Sequence, residues 1–245
     1  MGTLNVEKVY VLHVKKGYEA RLESIKKQFT QYGIDYELIL DGDITDLNST
    51  NLDTYFKGEI KEKANSVTSC TMKHLLAYQQ MANKGYKDCL IFEDDIILMP
   101  DCIEVINKTL EEIKTRADID EKKAFISYEN SRMKLVPVSK RIPGQYLYKA
   151  DSPRYAGAYY ITGEIARSIM QHTLKHKCEY VSDWYLNIYQ KEFNMDIYWC
   201  HPPVAEQGSH SGKFRSGLSR KKAGLLRRIA WNSQKIYKSI IINFK

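Results

Sequence analysis

Residues 89–98 have the sequence Cys89-Leu90-Ile91-Phe92-Glu93-Asp94-Asp95-Ile96-Ile97-Leu98, in which three consecutive carboxylates interrupt an apolar run. A short run rich in branched and aromatic residues predicts a buried strand. Burying acids in an apolar layer is costly unless a cation or a hydrogen-bond donor compensates, so we expect the acids at the carboxyl end of the strand. In open α/β sheets this is the end where ligands bind. The stretch therefore predicts a central strand that carries its acids into a cleft.

The acid cluster has two interpretations. Glu93, Asp94 and Asp95 repel one another, and a hard divalent cation would relieve the repulsion. A strand that ends in a solvated acidic turn would have the same sequence. The stretch by itself leaves both interpretations open.

The basic side chains are concentrated near the C-terminus. Residues 211–245 contain ten lysines and arginines and no acids, and the formal net charge of the chain is +7. The first 210 residues therefore hold 27 basic and 30 acidic side chains, a balance of −3. This asymmetry predicts an anionic surface as a partner of the basic segment.

Length and composition indicate a globular protein. The chain has 245 residues, enough for one large domain or two small ones, and 43% of them are hydrophobic. No apolar run reaches the roughly 18 residues of a membrane-spanning helix, and the early strand pattern predicts no signal peptide. Five cysteines, an odd number, argue against a disulfide framework and for a reducing compartment.

The N-terminal segment predicts a βαβ unit. A strand pattern over residues 9–14 is followed by a helical spacing that ends at Gly33 and by a second strand pattern over residues 36–40. This order implies a parallel sheet with a right-handed crossover. The turn Lys15-Lys16-Gly17 lacks the G-x-G-x-x-G pattern, which argues against a dinucleotide-type phosphate loop.

The rest of the chain alternates between helix and strand patterns. We expect a surface loop over residues 44–65, a loop or hairpin over the cleft at residues 129–153, and an irregular Gly/Pro loop over residues 201–212. Strand patterns occupy residues 124–128, 155–161 and 197–200, and helical patterns begin near Ser66, Pro100, Thr162 and Tyr180. The N-cap predicted for the helix over residues 66–82 is Ser66, Thr68 or Ser69.

Some side chains have an ordinary structural explanation. Cys70 and His74 share a helix face, and the spacing favours a hydrogen-bonded, partly buried histidine over a functional one. Asp183 at a helix start can simply stabilise the helix dipole. His172, His176 and Cys178 lack a fourth ligand at a recognisable spacing, so we do not expect them to form a zinc site.

Four blocks of the sequence together are similar to glycosyltransferase family 25, which includes bacterial lipopolysaccharide and lipooligosaccharide galactosyltransferases. The blocks lie in family order across residues 8–212: residues 9–14 with Arg21 after them, residues 69–78 with Cys70 and His74, Ile91-Phe92-Glu93-Asp94-Asp95, and a set from Gly157 through Asp183-Trp184 to Gln207. The sequence departs from the family pattern at His13, where Asn is usual, and at Lys73, where Ser is usual.

The resemblance implies an α/β fold of the GT-A type, a single domain with a mostly parallel, Rossmann-like central sheet and a C-terminal helical basic tail. Residues 1–212 would form the catalytic domain, with a nucleotide-sugar half over about residues 1–117 and an acceptor half over about residues 118–212. Residues 213–245 would form the basic amphipathic tail.

The resemblance also implies a reaction. A hexose, most plausibly galactose from UDP-galactose, would be transferred with inversion to a lipooligosaccharide or lipopolysaccharide core acceptor, with Mn²⁺ or Mg²⁺ as cofactor. The implied metal ligands are Asp95, Glu93 and His210, with Asp94 able to assist, and the implied catalytic base is Asp183. The donor-binding residues implied are Val11, His13, Arg21, Asp41, Gly42, His74, Glu93, Asp94 and Gln207.

The tail has a helical amphipathic pattern from about Leu218. Leu225, Ile229, Ile236 and Ile240 fall within one sector and basic residues fill the opposite arc, while Lys222 and Trp231 break the pattern. Such a helix lies in a membrane interface, which predicts a cytoplasmic enzyme held on the inner face of the cytoplasmic membrane beside a lipid-linked acceptor. No base-stacking platform accompanies the basic residues, so nucleic acid is not expected as a partner. A terminal helix packed on the catalytic domain is the alternative.

Two other classes of function would share some of these features. A metal-dependent nucleotidyltransferase would share the α/β architecture, but it should carry a Gly-rich loop after the first strand, which Lys15-Lys16-Gly17 replaces poorly. A non-catalytic protein that binds membrane surfaces would explain the tail but not three clustered acids. Cooperative binding of UDP and Mn²⁺ is expected of the transferase alone.

Overall fold

The computed structural model describes residues 3–130, 133–215 and 225–243. Within these residues a seven-stranded sheet has the strand order β2-β1-β3-β7-β5-β8-β6, and a two-stranded ladder joins β4 to β9. The strands are β1 (Lys8–Leu12), β2 (Glu37–Ile39), β3 (Asp88–Glu93), β4 (Ile96–Leu98), β5 (Ala124–Ser127), β6 (Leu147–Lys149), β7 (Ala158–Thr162), β8 (Asp196–Cys200) and β9 (Ala205–Gln207). The helices are α1 (Glu19–Tyr32), α2 (Ser49–Tyr55), α3 (Gly58–Lys63), α4 (Ser66–Lys84), α5 (Cys102–Thr115), α6 (Gly163–His176), α7 (Ser182–Ile188), α8 (Gly208–Ser211) and α9 (Leu225–Asn243).

The sheet is mixed but mostly parallel, which confirms the predicted α/β class. β1, β2, β3, β5 and β8 share one direction, because β7 is antiparallel to both β3 and β5 and β6 is antiparallel to β8. Strands from both predicted halves of the catalytic domain thus belong to one sheet. Residues 129–153 contribute the short edge strand β6 to it.

The predicted βαβ unit is present and defines the functional edge of the sheet. Helix α1 ends at Gly33, whose left-handed backbone (φ 66°) is accessible to glycine without strain. β1 pairs with β2 on one side and with β3 on the other, so the chain order reverses across β1. Leu12 lies opposite Glu93, and the carboxyl ends of β1 and β3 therefore meet where such sheets bind ligands.

Helices cover both faces of the sheet and so create two hydrophobic cores. Successive residues of a strand place their side chains alternately in one core and the other. Tyr10 and Leu12 of β1 belong to the core beneath α4, α6 and α7, whereas Val9 and Val11 belong to the core beneath α1 and α5. This alternation follows from the two-residue period of a strand. Both layers are built largely from aliphatic and aromatic side chains.

Three expectations about local structure are wrong. Residues 44–65 contain α2 and α3 in place of a surface loop, because Tyr55, Phe56 and Ile60 are buried against α4. The N-cap of α4 is Asn65, whose side chain accepts a hydrogen bond from Val67 N at 2.8 Å. Residues 201–212 contain β9 and α8, since β9 pairs with β4.

The C-terminal helix α9 contacts the catalytic domain through one side. Trp231 Nε1 lies 3.5 Å from Oε2 of Glu206, Lys235 pairs with the same carboxylate, and the Trp231 ring lies 6.1 Å from that of His210. Ile229, Ile236 and Ile240, on the opposite side of the helix, are exposed. Leu218, Arg220, Lys221 and Lys222, where the tail was predicted to begin, lie outside the described residues.

No helix in the described part of the chain combines the length and the hydropathy that crossing a membrane requires.

Candidate active site

A cavity of about 730 Å³ lies where the carboxyl ends of β1 and β3 meet. Its wall includes acids from the turn after β3, basic residues from the segment after β1, and residues of α4, β9 and α8: Lys15, Lys16, Arg21, Ser69, Cys70, Lys73, Glu93, Asp94, Asp95, Gln207, Ser209 and His210. A hollow of similar size, about 760 Å³, runs along α5 and contains none of the predicted site residues. The first cavity is therefore the candidate site.

Asp94 is held by two partners from the N-terminal βα unit. Its Oδ2 lies 2.7 Å from Nδ1 of His13, and its Oδ1 accepts a hydrogen bond from Nη1 of Arg21 at 2.8 Å. Burial lowers the pKa of Arg21, but Asp95 and Asp94 outweigh this effect and raise it above its usual value. Asp94 therefore orients a permanently charged guanidinium at the cavity wall.

Glu93 is engaged through both carboxylate oxygens. Oε2 accepts a hydrogen bond from Nε2 of Gln207 at 2.7 Å, while Oε1 lies 3.5 Å from Nε2 of His74 and 3.7 Å from Sγ of Cys70. Burial raises the pKa of Glu93, but its contacts with His74 and Gln207 outweigh burial and hold the pKa below its usual value. Glu93 is thus an ionised carboxylate inside the protein.

Asp95 is the acid with an available oxygen. Its Oδ2 accepts a hydrogen bond from the backbone N–H of Ser209 at 3.1 Å, whereas Oδ1 is buried and has no hydrogen-bond partner within the described ranges. Burial and the neighbouring Glu93 charge raise the pKa of Asp95 to about 6. A buried carboxylate without a partner is costly, and a bound cation would remove that cost.

Asp95 offers one unpartnered carboxylate oxygen, Oδ1, to a hard divalent cation. Carboxylate oxygens are the preferred ligands of Mg²⁺ and suit Mn²⁺ as well. His210 lines the same cavity, and its ring stacks on Tyr155 with a centroid distance of 4.9 Å. Asp95 would supply the principal ligand for such an ion, and its unpartnered Oδ1 is the feature that supports this assignment.

Basic side chains line the cavity across from the acids. Lys15 pairs with Asp41 at 3.2 Å and with Asp46 at 2.9 Å, and Lys16 is exposed at the rim. Arg21 lies over the ring of Tyr18, 4.6 Å from its centroid. These cations could bind an anionic ligand such as a diphosphate.

The loop after β2 is fixed to α4 by a buried lysine. Lys73 Nζ donates to the carbonyls of Leu40 and Asp41, and it lies 2.8 Å from Oδ1 of Asp43. Gly42 has φ 91°, and a side chain there would meet Met72 Cγ at 3.0 Å. The unusual Lys73 therefore positions the loop that carries Asp41 and Gly42.

Asp183 lies in the first turn of α7, beside α4. Its Oδ1 accepts a hydrogen bond from the backbone N–H of Ala156 at 2.9 Å, and Ser182 N donates to Oγ1 of Thr71 at 3.2 Å. Asp183 is partly exposed. The pKa of the Cys70 thiol is raised by burial and by the charges of Glu93 and Asp183. Asp183 is not part of the wall described above.

The model of glycosyltransferase family 25, described as an LPS biosynthesis protein family, matches residues 6–185 of this chain. The chain belongs to glycosyltransferase family 25. The match covers β1 to α7 and so includes the acid turn, the Arg21 helix and Asp183. No curated protein matches the chain.

Several solved structures are distantly similar to this family 25 glycosyltransferase. A Bacillus anthracis protein assigned as a glucose-1-phosphate thymidylyltransferase has 13% identity and a TM-score of 0.38, covering 82% of this chain and 89% of that one. A UDP-glucose pyrophosphorylase complexed with UDP-glucose has 14% identity and a TM-score of 0.37, with 95% and 99% covered. A glycosyltransferase involved in glycosylation of the PBCV-1 major capsid has 11% identity and a TM-score of 0.32, with 92% and 99% covered. Similarity at this level has no bearing on substrate or mechanism.

The structure brings only part of the predicted site of the family 25 enzyme to the cavity wall. The predicted residues that line it are Arg21, Glu93, Asp94, Asp95, Gln207 and His210, while those that do not are Val11, His13, Asp41, Gly42, His74 and Asp183. Val11 is fully buried in the core beneath α1 and α5, so its side chain is a packing element. His13, Asp41, Gly42 and His74 each contact a residue that lines the cavity.

Some wall residues were not predicted from the sequence. Lys15 and Lys16 were considered only as a poor phosphate loop, and Lys73 only as a departure from the family pattern. Ser209, which binds Asp95 through its backbone N–H, lies in a segment expected to be irregular. The Gly208-Ser209 pair after Gln207 was the available signal, because small residues permit the backbone to approach Asp95 closely.

Proposed function

We propose that this family 25 glycosyltransferase is a GT-A-type inverting enzyme that transfers a hexose from a UDP-sugar to a lipooligosaccharide or lipopolysaccharide core acceptor. Galactose is the proposed hexose and UDP-galactose the proposed donor. Membership of the family supports transfer of a sugar between a nucleotide donor and an oligosaccharide acceptor. The specific donor and acceptor are inferred from the resemblance of the four sequence blocks.

The observation that carries the proposal is the unpartnered Oδ1 of Asp95 in a cavity that also holds cationic side chains. A divalent cation, Mn²⁺ or Mg²⁺, would act there as a Lewis acid that offsets the charge developing on the leaving diphosphate. We rest the metal assignment on Asp95, because the oxygens of Glu93 face Gln207, His74 and Cys70. His210 remains the predicted further ligand.

The basic residues of the wall would bind the donor's diphosphate. Arg21, held by Asp94, presents a fixed guanidinium, while Lys15 and Lys16 add positive charge at the rim. Charge placed before the reaction stabilises the leaving group without reorganisation during the step. The Asp41-Gly42 loop, fixed by Lys73, would contact the nucleoside part of the donor.

Asp183 is proposed as the general base. In an inverting transfer one carboxylate takes the proton from the acceptor hydroxyl as its oxygen attacks the anomeric carbon. Asp183 is partly exposed, and its hydrogen bond from Ala156 N fixes one of its oxygens. The proton would then reside on the carboxyl group of Asp183.

The basic tail is proposed to hold the enzyme on an anionic membrane, on the cytoplasmic face where a lipid-linked acceptor would be presented. Helix α9 contacts Glu206 through Trp231 and Lys235 and exposes Ile229 and Ile236 on its other side. An apolar stripe directed away from the domain suits insertion into a membrane interface, with the catalytic domain above it.

Calorimetry tests the donor and metal assignments. UDP should bind the wild-type chain cooperatively with Mn²⁺, and a panel of UDP-sugars should give the fastest UDP release with UDP-galactose. Asp95→Asn should lose the Mn²⁺ dependence and most of the activity, whereas the control Asp101→Asn, at an exposed acid, should retain both. Full turnover in EDTA would refute the metal assignment. Faster UDP release from another UDP-sugar than from UDP-galactose would show that a different sugar is transferred.

A further inference from the structure

A second potential metal site lies beside the cavity, formed by Cys70, His74 and Glu93. Each of these residues offers one ligand atom, and the three atoms all lie within 4.8 Å of one another. Cys70 and His74 project from the same face of α4, one turn apart, and Glu93 ends β3. Three ligand types from two rigid elements therefore converge on one point.

The two separations from Glu93 Oε1 suit a tetrahedral ion. Zn²⁺ binds sulfur at about 2.3 Å and nitrogen or oxygen at about 2.0–2.2 Å, which places neighbouring ligand atoms about 3.3–3.8 Å apart. The observed distances from Glu93 Oε1 are 3.5 Å to His74 Nε2 and 3.7 Å to Cys70 Sγ. Glu93 Oε1 thus lies at the distance from each of the other two ligand atoms that a shared ion requires.

His74 provides the observation that points to a ligand. Its side chain is almost completely buried, and its Nε2 makes no hydrogen bond among the described residues. Its Nδ1 lies 2.8 Å from the hydroxyl of Tyr159, which in turn lies 2.7 Å from that of Tyr78. When Nδ1–H donates to Tyr159, the Nε2 lone pair faces Glu93, and a cation between the two side chains would bind to both.

The surroundings also resemble those of a metal site. Gln207 donates to the other oxygen of Glu93 and so orients the carboxylate, as Tyr159 orients His74. Cys70 and Glu93 line the cavity, so a fourth coordination position would face it. Metal sites that keep a position open in this way accept water or a substrate group there.

We propose that Cys70, His74 and Glu93 bind a thiophilic divalent cation such as Zn²⁺, at a site distinct from the hard-cation site at Asp95. Sulfur and imidazole ligands favour Zn²⁺ and Co²⁺ over Mg²⁺ and Mn²⁺. The inference does not depend on the proposed sugar transfer.

The test uses the full-length, EDTA-treated chain under reducing conditions, with Co²⁺ as a spectroscopic probe and Zn²⁺ as competitor. Wild type should bind Co²⁺ with a thiolate-to-metal charge-transfer absorption, which one equivalent of Zn²⁺ should abolish. Cys70→Ser and His74→Gln should lose the band. The matched control Cys178→Ser should retain it, because the serine can keep the bond that the Cys178 thiol makes to the Tyr180 carbonyl at 3.2 Å.

Two further variants make the result decisive. Asp95→Asn should retain the band, which separates this site from the hard-cation site. Tyr159→Phe should keep the band but weaken Zn²⁺ binding about 10- to 100-fold through the loss of the orienting hydroxyl. Absence of a charge-transfer band from folded wild type, or a band that survives Cys70→Ser, would overturn the proposal.

Discussion

Gln207 donates a hydrogen bond from Nε2 to Oε2 of Glu93 at 2.7 Å, across 114 positions of the sequence. The bond joins β9 to the end of β3, where the next residues are Asp94 and Asp95. β9 is followed by Gly208 and then by Ser209, whose backbone N–H binds Asp95. A segment that enters from the C-terminal part of the catalytic domain therefore fixes two acids of the turn.

Gln207→Glu should damage this arrangement. A second carboxylate beside Glu93 would replace a hydrogen bond with a repulsion, so we expect a loss of about 1–3 kcal/mol in the free energy of unfolding and at least a tenfold loss of UDP release. Urea unfolding and a donor-hydrolysis assay measure the two effects. Gln190→Glu is the control, because the Gln190 amide donates to the backbone carbonyls of Asp151 and Asn187. Equal effects in both variants would contradict the prediction.

The buried pair of Lys73 and Asp43 should be strongly coupled. The side chains are 4% and 10% exposed, so removing either partner leaves a buried charge without its counter-ion. Lys73→Met and Asp43→Asn should each cost about 3–5 kcal/mol, and the double variant should cost clearly less than their sum. Urea unfolding of all four proteins gives the coupling free energy.

A matched pair provides the control for that cycle. Lys61 and Asp53 form an ion pair at 2.6 Å, but both side chains are exposed, so their coupling should not exceed about 1 kcal/mol. If the effects of Lys73→Met and Asp43→Asn were strictly additive, the coupling free energy of this pair would be as small as that of the exposed pair. That result would show that Lys73 does not fix the loop after β2.

Asp95 should make the stability of the metal-free protein depend on pH. Its pKa is raised from 3.8 to about 6 on folding, so folding favours its protonated form. That contribution is complete below pH 3.8 and is lost as the pH rises to about 6. Asp95→Asn in EDTA should therefore match wild type near pH 4 and exceed it by roughly 3 kcal/mol above pH 6. Urea unfolding at several pH values checks this, and an unchanged difference across the range would contradict it.

The elements that could be predicted from the sequence are those whose pattern is local. The βαβ unit has clear periods of two and 3.6 residues and a glycine at the helix end, and the acid turn is a continuous motif. Helices α2 and α3 have six or seven residues each, too few to show a period, and their burial depends on α4. Strand β9 forms by pairing with β4, which lies about a hundred residues earlier in the chain. The local sequence of β9 therefore does not predict it.

For the site as for the fold, only the features with a local sequence pattern were predictable. The acid cluster was evident, but which acid keeps an available oxygen depends on Arg21, His13, Gln207 and Ser209, partners supplied by other segments. No local pattern reveals such long-range hydrogen bonds. The loop-fixing role of Lys73 was hidden for the same reason, because its partners lie some thirty residues earlier in the chain.

Asp183→Asn should separate chemistry from binding. The asparagine oxygen can still accept the bond from Ala156 N, so the fold should be retained, but the amide cannot take a proton. Turnover should fall about 100-fold or more with UDP affinity unchanged, measured by UDP release and calorimetry. If Asp183→Asn instead lost UDP binding but kept normal turnover at a saturating donor concentration, Asp183 would be a residue that binds the donor and not the base.

The tail should bind anionic membranes through its apolar stripe and its charge. Ile229, Ile236 and Ile240 are 54%, 61% and 49% exposed, and they share a side of α9 opposite Trp231 and Lys235. Each basic residue near an anionic leaflet adds about 1 kcal/mol, and this attraction falls as salt is added. We expect the full chain to co-sediment with anionic vesicles but not with neutral ones, and a chain ending at Gly217 to bind neither.

Substitution distinguishes insertion from charge attraction alone. Changing all three isoleucines of the stripe to serine should remove most of the vesicle binding that remains at high salt, since it removes the apolar area that enters the interface. The matched control changes three exposed apolar residues of the catalytic domain to serine, namely Ile44, Ile142 and Leu174, which are 54%, 57% and 50% exposed. The control should bind like wild type, because these residues lie outside the tail. Equal loss in both triple variants, or equal binding by the full and truncated chains, would show that the tail is a packing element on Glu206 and not a membrane anchor.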